Sequence, residues 1–423
     1  MKKLMVAALA LSVALSASAR LVNRFARTRV LAAQSLKVVP PDAPAEAEAA
    51  PRSAPGMMER ALAPFVESGE LPGAISVLSR PGVEEVALLG FADVAKGRRI
   101  TLDDPFMQCS QTKGFCGVTV AILVEEGKVS LDDPVSKYLP EFREMWIRKS
   151  DRDGVRELVR AKNPVTIRTA LNHTSGFEFE IPAKQHEIRG GGWTGGMPIR
   201  SVAATAASLP LRFEPGTGDQ YSNTGIDVAA AVVEVVTGKP WPEFLRERVL
   251  APLGMNQTVF KPTDAMIARK IEMYRIGRGR KAEWMEENPW EQRPYNGDHV
   301  FPSAGAGLWT TTRDQLKFYR MLMNYGVGDN GVRILKEETV KNLLLTSSRP
   351  AGMNRYSLGL SVEGGGWVGH TGAFGTGCFI NPEKKFLKLW VVQKDGSADW
   401  EGRLRTAVED RFFADAPSAQ DAE

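Results

Sequence analysis

The segment SQTKGFCGVTVAILV runs from Ser110 to Val124. From Gly114 onward nearly every position is apolar, which predicts a helix buried in the middle of the protein, over Ser110–Glu126. Ser110 and Lys113 are three residues apart, so they share a helix face and the amine can reach the hydroxyl. Lysine acts as a base only when desolvation lowers its pKa, and an apolar helix can supply that desolvation. The alternative interpretation is a helix cap at Ser110 and a surface charge at Lys113.

Two further polar tripeptides lie next to predicted helices or strands. Tyr221-Ser222-Asn223 follows the turn Phe213–Gly216 and precedes a helical pattern over Thr224–Thr237. His370-Thr371-Gly372 follows a glycine-rich stretch and leads into a strand pattern. Each has a structural interpretation as well, because a tyrosine on a loop is typical of a half-buried amphipathic side chain, and Gly372 is also typical of a tight turn onto an edge strand.

The order S-x-x-K, Y-x-N, H-T-G along one chain resembles the class C β-lactamase and D-alanyl-D-alanine carboxypeptidase family, including the family VIII esterases. Three other stretches share that resemblance: VEEGKVSLDDPV at Val124–Val135, LNHTSG at Leu171–Gly176 and APLGM at Ala251–Met255. The resemblance spans Met57 to Phe413 and implies a serine hydrolase that forms an acyl-enzyme.

The resemblance also implies a role for each motif residue. Ser110 would be acylated, Lys113 and Tyr221 would share general-base and general-acid duty, and Asn223 would orient the substrate or Lys113. Substrate binding would fall to His370, Thr371 and Gly372, and the oxyanion hole to the backbone N–H groups of Ser110 and Ala373. One such N–H donor is typically worth roughly 2.7–4 kcal/mol in the transition state. His173, in the LNHTSG stretch, is expected to be structural and to lie away from the chemistry.

His370 stands where many β-lactamases carry lysine, and this difference bears on the substrate. A histidine with an unperturbed pKa of about 6.5 is only partly charged at neutral pH, so recognition of a substrate carboxylate is expected to be weaker. Trp367-Val368-Gly369 just before it resembles the Trp-x-Gly element of family VIII esterases. The sequence therefore favours esterase or D-amino-acid peptidase activity over efficient β-lactam hydrolysis, with a weak β-lactamase as an alternative.

The chain ends carry matching strand patterns. Ala74–Ser79 and Glu85–Phe91 are predicted strands joined by a Pro81-Gly82 turn, and Gly377–Asn381 with Phe386–Gln393 is a predicted hairpin. Helical patterns occupy the remaining predicted segments: Met57–Ser68, Ile167–Asn172, Trp241–Val249 and Trp400–Phe413. The predicted fold class is α/β of the α+β kind, with one antiparallel sheet built from both chain ends, flanked by helices, and a mostly helical subdomain inserted. Long loops over the cleft are predicted at Glu187–Ile199 and Lys270–Pro302.

This interpretation divides the chain into five parts. Residues 1–19 are a predicted signal peptide, and 20–56 a basic and then Pro/Ala-rich linker. Residues 57–415 form the hydrolase domain, whose sheet part is 57–104 with 305–415 and whose helical part is 105–304. Residues 416–423 are predicted to be a disordered tail.

The leader has the three parts of a secretory signal: Lys2 and Lys3, an apolar run over Leu4–Leu15, and Ala17-Ser18-Ala19 as a cleavage site. Export to the periplasm or medium is expected. The alternatives are an uncleaved anchor, disfavoured because the apolar run is shorter than the roughly 20 residues of a spanning helix, and targeting to an organelle by the arginine-rich Arg20–Lys37 stretch.

Composition and cysteine usage limit the kinds of partner and cofactor that the sequence predicts. The chain has a net charge of +4, but seven basic residues and no acidic ones precede Pro41. The rest of the chain is therefore weakly acidic, and a nucleic-acid partner is not expected. Cys109, Cys116 and Cys378 form no disulfide framework and are expected to be buried and inert. No His/Cys pair has metal-ligand spacing, so neither a metal nor another cofactor is predicted. The expected partner is a small ester, amide or peptide, with no stable membrane insertion, and the oligomeric state stays open.

Two other function classes stay open. A Ser-His-Asp hydrolase of the α/β type is disfavoured because the chain contains no G-x-S-x-G element. A non-catalytic binding module that retains the fold would carry the same motifs without turnover, and a covalent serine probe separates it from an enzyme.

Overall fold

The computed structural model describes residues 55–152, 155–181, 198–285, 301–395 and 405–414. Its strands, in chain order, are β1 Gly73–Arg80, β2 Val83–Asp93, β3 Arg98–Arg99, β4 Phe106–Met107, β5 Trp146–Arg152, β6 Val155–Arg160, β7 Tyr274–Ile276, β8 Ala282–Trp284, β9 Trp309–Thr310, β10 Ser361–Val362, β11 Val368–Gly372, β12 Thr376–Asn381, β13 Phe386–Val391 and β14 Lys394–Asp395.

The helices follow the same convention. They are α1 Met57–Glu67, α2 Thr112–Glu125, α3 Ile167–Leu171, α4 Ile199–Ala207, α5 Asn223–Thr237, α6 Trp241–Leu245, α7 Asp264–Ala268, α8 Thr312–Met323, α9 Glu337–Thr339 and α10 Arg405–Ala414. A 3₁₀ turn, Cys109–Gln111, leads directly into α2, and wider π turns extend α6 and α9 over Arg246–Leu250 and Val340–Leu344.

One seven-stranded antiparallel sheet joins the two ends of the chain. Its order is β10-β11-β12-β13-β1-β2-β3, so the N-terminal β1 pairs with the C-terminal β13, with Ile75 opposite Val391. Side chains alternate along β1: Ile75 and Val77 belong to one hydrophobic cluster, and Ala74 and Leu78 to another. The expected sheet from both chain ends is thereby confirmed.

Helices cover both faces of this sheet. On one face Met58 and Leu62 of α1 and Phe412 of α10 pack against Leu78 and Trp390. On the other face the strand residues share a core with α2, α5 and α8, and Phe115 of α2 stacks on Phe318 of α8 at 3.7 Å between ring centroids. Because α2 lies inside this core, the serine and lysine at its start are held against the sheet.

The inserted part contains more β-structure than the sequence pattern predicts. β5 and β6 form an antiparallel hairpin in which all six residues of β6 are exposed, so the strand has no apolar alternation to reveal it. The predicted loop at Lys270–Pro302 is wrong in its described part, where β7 pairs with β8 and with β14. Most of the other predicted loop, Glu187–Ile199, lies outside the described residues, and its last residue begins α4.

Several predictions concern residues that the structure does not describe. The signal peptide, all but the last two residues of the linker, and the tail at 416–423 lie outside it, as do the first residues of the helix predicted at Trp400–Phe413. Among the described residues, no helix has both the length and the apolar composition needed to cross a bilayer.

Candidate active site

Ser110 lies in the 3₁₀ turn that precedes α2, on a backbone bent by a left-handed residue, Cys109, at φ 49°. Its side chain is half-buried, so the hydroxyl faces the solvent side of an otherwise buried helix. Further along α2 Gly117 permits the helix to approach backbone: a Cβ at Gly117 would lie 1.8 Å from the carbonyl oxygen of Leu358. This close packing fixes the start of α2, and with it the nucleophile.

Lys113 has no exposed surface, and its ammonium nitrogen makes three polar contacts. Nζ lies 3.2 Å from Oγ of Ser110, 2.6 Å from Oδ1 of Asn223 and 2.6 Å from the carbonyl oxygen of Gly305. Burial lowers the pKa of Lys113 to about 7, although the nearby carboxylate of Asp227 acts in the opposite direction. A substantial fraction of this lysine is therefore neutral near pH 7 and can accept a proton from Ser110.

Tyr221 and Asn223 reach the site from the start of α5. Ser222 caps this helix, since its Oγ accepts from the Gly225 N–H at 3.0 Å, and the same hydroxyl donates to the Glu178 carbonyl at 2.7 Å. The Asn223 N–H donates to the Phe179 carbonyl at 2.8 Å, so a second segment fixes the start of α5.

The two side chains meet the lysine from different directions. The ring centroid of Tyr221 lies 4.5 Å from Lys113 Nζ. Burial raises the pKa of Tyr221 above its usual range, against the effect of a hydrogen bond with Ser110, so the phenol is neutral and suited to donate a proton. Asn223 contacts the lysine directly, which favours its orienting Lys113.

The expectation that His370 is partly charged at neutral pH is wrong. His370 is buried in β11, and burial together with the charge of Lys113 lowers its pKa to about 3. Its Nδ1 donates to the Thr371 carbonyl, which leaves Nε2 as the acceptor in the neutral ring. Nε2 lies 2.9 Å from the hydroxyl of Tyr356 and 3.5 Å from that of Tyr221. The imidazole therefore faces two phenols.

The other two residues of the H-T-G element lie at the end of β11. A Cβ at Gly372 would lie 2.3 Å from the carbonyl oxygen of Gln108, so this glycine brings β11 against the turn that carries Ser110. Thr371 and Ala373 are exposed beside it. The structure thus brings the end of β11 next to the 108–110 turn, as a shared oxyanion hole requires, and the two N–H donors remain a proposal.

His173 was expected to lie away from the chemistry, and the structure corrects this. Its ring lies against Tyr221 and Tyr356, with centroids 4.5 Å and 4.6 Å away. Its Nδ1 accepts from the Ser222 N–H at 3.2 Å, and its backbone takes the left-handed conformation at φ 67°. Burial holds its pKa well below the usual range. His173 therefore supports the ring of Tyr221 as a neutral side chain.

Four residues of the site have no motif in the sequence. Tyr356 contacts His370, Gly305 accepts from Lys113, Glu180 accepts from the Asn223 amide at 3.1 Å, and Asp227 is a buried acid near the lysine. Only Asp227 leaves a recognisable signal, because an aspartate inside the apolar run Ile226–Val233 must be hydrogen-bonded or paired when it is buried.

A cavity of about 410 Å³ opens beside the site. Its lining includes Tyr221 and Tyr356, and its charged residues are Asp219, Arg349, Arg355 and Glu363. Arg349 is committed to the protein, since it pairs with Asp219 at 3.0 Å and donates to the Asn172 carbonyl at 2.6 Å. The three cysteines are buried and free, as expected, and burial raises the pKa of Cys109 to about 12.

Proteins with similar sequences show which family this chain belongs to. An uncharacterised protein of Mycobacterium tuberculosis is 29% identical over 346 residues, which cover 80% of this chain and 82% of that protein. Esterase EstB of Burkholderia gladioli is 30% identical over 270 residues, covering 58% of this chain and 64% of the esterase.

Solved structures share the fold. Simvastatin synthase (LovD) of Aspergillus terreus superposes with a TM-score of 0.71 at 20% identity, covering 86% of this chain and 98% of that one. D-amino acid amidase of Ochrobactrum anthropi SV3 superposes with a TM-score of 0.62 at 22% identity, covering 85% and 97%. The beta-lactamase family model matches residues 58–410. This chain belongs to the beta-lactamase family and is a serine hydrolase.

Proposed function

We propose that this enzyme cleaves small neutral esters, and transfers their acyl groups, through a covalent acyl-enzyme at Ser110. The observation that carries the proposal is the fully buried Lys113, whose Nζ lies 3.2 Å from the Ser110 hydroxyl oxygen. An amine at that distance is close enough to accept the hydroxyl proton, and burial lowers its pKa so that the neutral form can act as a general base.

Acylation begins when neutral Lys113 takes the hydroxyl proton as Ser110 Oγ attacks the carbonyl carbon. The carbonyl π electrons move to oxygen, and the backbone N–H groups of Ser110 and Ala373 stabilise the resulting oxyanion. The oxyanion electrons then re-form the carbonyl and the C–O ester bond breaks, while the neutral phenol of Tyr221 donates its proton to the departing alkoxide, which leaves as the alcohol. The Lys113 ammonium returns a proton to Tyr221, so the enzyme groups regain their starting protonation.

Deacylation repeats these steps with water or an alcohol as the nucleophile. Water gives hydrolysis, whereas an alcohol gives acyl transfer, and both use the same base and acid. The partition depends on which acceptor occupies the cavity beside Tyr221.

Charge favours a neutral substrate over a β-lactam. With its pKa lowered to about 3, His370 offers no positive charge to a substrate carboxylate at neutral pH. The similarity to Esterase EstB supports the same choice. His370 therefore gives an anionic β-lactam no advantage over a neutral ester.

A second candidate is a D-amino-acid peptide or amide as the acyl donor. Arg355 is exposed and lines the cavity next to Tyr221, where its guanidinium is placed to meet a carboxylate. The structural likeness to D-amino acid amidase suits this candidate, although it shows the fold alone.

Parallel hydrolysis assays test these candidates. We expect p-nitrophenyl butyrate to be cleaved with the highest kcat/KM, ahead of a D-alanyl-D-alanine peptide and nitrocefin. Ser110→Ala should abolish every activity. The matched control is Ser68→Ala, which changes an exposed serine directly after the C-terminal end of α1. Wild-type turnover in Ser110→Ala would remove Ser110 from the mechanism. A nitrocefin rate above the ester rate would reverse the substrate order.

A fluorophosphonate probe separates an enzyme from a binding module with the same fold. We expect one probe molecule per chain, located at Ser110 by peptide mass spectrometry. A correctly folded protein that stays unlabelled would indicate a binding module instead.

We further propose that the chain is exported and cleaved after Ala19. The leader composition supports this proposal. N-terminal sequencing of protein made in a secreting bacterial host should give Arg20 as the first residue. A start at Met1 in the membrane fraction would support an anchor, and a start beyond Lys37 a second processing step.

A further inference from the structure

Asp227 is a buried carboxylate that the proposed acid–base steps do not use. It lies in α5, four residues after Asn223 and therefore on the same helix face, and only 3% of it is exposed. Its Oδ1 accepts three hydrogen bonds, from the Ala304 N–H at 2.7 Å, from the Ser303 hydroxyl at 3.2 Å and from the Gly305 N–H at 3.3 Å. One oxygen of Asp227 thus holds the whole 303–305 turn.

The other side of this turn meets the base. The Gly305 carbonyl accepts from Lys113 Nζ at 2.6 Å, on the same peptide segment whose N–H contacts Asp227. The fit is tight, because a Cβ at Gly305 would lie 2.8 Å from Oδ1 of Asn223. Asn223 is itself the second 2.6 Å acceptor of the lysine. Both close contacts of Nζ are therefore fixed through α5.

We propose that Asp227 is a positioning residue for the base: it holds the Ser303–Gly305 turn so that the Gly305 carbonyl aims Lys113 Nζ at the Ser110 hydroxyl. This role rests on the proposed acylation of Ser110. Its action is indirect, since its hydrogen bonds go to the 303–305 turn and the residues that line the cavity beside Tyr221 do not include it. A small misplacement of a base costs rate steeply, because proton transfer requires hydrogen-bond distance.

The carboxylate also has an electrostatic effect that can be measured separately. Burial raises the pKa of Asp227 itself to about 7, against the effect of its hydrogen bonds from the 303–305 turn, so this carboxyl titrates in the same range as Lys113. In its ionised form it raises the pKa of Lys113, against the stronger lowering by burial. The other groups that face the lysine are a second carboxylate, a buried thiol, two neutral imidazoles and a phenol: Glu180, Cys109, His173, His370 and Tyr221. Removing only the charge of Asp227 should therefore lower the pKa of Lys113 and extend the active, deprotonated lysine to lower pH.

Two substitutions separate geometry from charge. Asp227→Ala removes both, whereas Asp227→Asn keeps an oxygen that can accept from the 303–305 turn. The rate of Ser110 labelling by a fluorophosphonate, measured from pH 5 to 9, is the readout because it needs no known substrate. We expect Asp227→Ala to label at least about 10-fold more slowly than wild type across this range, which is a part of the roughly 10²–10⁴-fold that a general base contributes.

Asp227→Asn is expected to recover most of that loss, and its half-maximal rate should fall at a lower pH than in wild type. Glu234→Gln is the matched control, since Glu234 is a half-buried acid of the same helix that accepts from the Trp241 N–H at 2.9 Å. It should label at the wild-type rate with an unchanged pH midpoint.

The outcomes distinguish this proposal from the proposed function. An unlabelled wild-type protein would contradict acylation of Ser110 itself. A labelled wild type together with a folded Asp227→Ala that labels equally fast would overturn the positioning role. If Asp227→Ala does not fold, Asp227→Asn decides alone: a folded Asp227→Asn that labels at least about 10-fold more slowly than wild type would show that an accepting oxygen at this position is not sufficient to place the lysine, and would overturn the proposal.

Discussion

Lys113 is an ionisable side chain in surroundings that disfavour its charged form. The ammonium form loses its hydration in a site without exposed surface, and the hydrogen bonds that it donates to Asn223 and Gly305 replace only part of that hydration. Buried lysines shift their pKa downward for this reason. The apolar run after Lys113 was enough to predict this desolvation from the sequence, whereas the two oxygen partners come from segments more than a hundred residues away.

The pH dependence of activity tests this state of Lys113. Because the base is active when deprotonated and burial lowers its pKa to about 7, kcat/KM for a neutral ester should rise with pH through that region and then level off. Lys113→Arg should lose at least about 10²-fold, since a guanidinium does not release its proton in this pH range.

Lys137→Arg supplies the control for that comparison, because Lys137 is an exposed lysine paired with Asp133 at 3.0 Å. Its profile should overlay that of wild type. A wild-type rate that stays flat from pH 5 to 9, or an active Lys113→Arg, would mean that another group acts as the base.

His370 shows what a sequence motif omits. The identity of the residue gives an ordinary pKa near neutrality, but the burial and the hydrogen bond to the Thr371 carbonyl that fix the neutral ring depend on how β11 packs. Tyr356, which completes this contact, carries no motif of its own. The neutral ring therefore lacks the charge expected at this position, its Nε2 contacts the two phenols, and its contact with substrate stays a prediction.

His370→Lys tests whether the neutral ring supports the two phenols or faces a substrate carboxylate. A lysine there would place a second ammonium in a buried site next to Lys113, so we expect hydrolysis of nitrocefin and of p-nitrophenyl butyrate to fall together, with an unchanged ratio between them. His370→Gln is the neutral comparison and should retain more activity than the lysine variant. A selective gain on nitrocefin would return His370 to the substrate carboxylate.

At the scale of elements, apolar patterns predicted best where they were strong and bounded by turns. α1, β1, β2 and the β12–β13 hairpin fall within a few residues of their predicted bounds: α1 presents an apolar face to a cluster, and β1, β12 and β13 are buried over most of their length. The β5–β6 hairpin escaped prediction because its residues are held by cross-strand ion pairs such as Lys149 with Glu157, at 2.6 Å, and these leave no hydrophobic period.

The contact of α2 with the segment after α9 is an element-level requirement of the site. Gly117→Ala would place a Cβ 1.8 Å from the Leu358 carbonyl oxygen, and backbone on both sides resists movement. The helix propensity of alanine gains about 1 kcal/mol over glycine, whereas overpacking costs about 1–3 kcal/mol and more against backbone. We expect a lower melting temperature and slower labelling of Ser110.

Gly364→Ala is the matched substitution, because a Cβ at Gly364 meets no atom within 4 Å. Thermal unfolding followed by circular dichroism compares the two variants. Equal melting temperatures for Gly117→Ala and wild type would show that α2 does not need this close approach.

Across the whole molecule, the sheet and the helical region share one hydrophobic cluster. Ile75 and Val391 from the sheet, Phe115 from α2 and Val232 from α5 all belong to it. The site also takes residues from both parts. His370 lies in β11 of the sheet, whereas Ser110 lies on the turn before α2 and Tyr221 lies before α5. The sequence predicted both parts, but the shared core depends on contacts between residues far apart in the chain.

A shared core predicts that the two parts unfold together. If the helical region lost its packing first, Tyr221 would separate from Lys113 while the sheet stayed intact. Labelling of Ser110 would then be lost at a lower urea concentration than the secondary structure of the sheet. Because β1 and β13 pair at the centre of the sheet, and α2 packs on it, neither part can expose its face without breaking that core. We therefore expect the urea midpoint of far-ultraviolet circular dichroism to coincide with the midpoint for loss of fluorophosphonate labelling. Two separated midpoints, with labelling lost at the lower urea concentration, would show that the helical region is an independent folding unit.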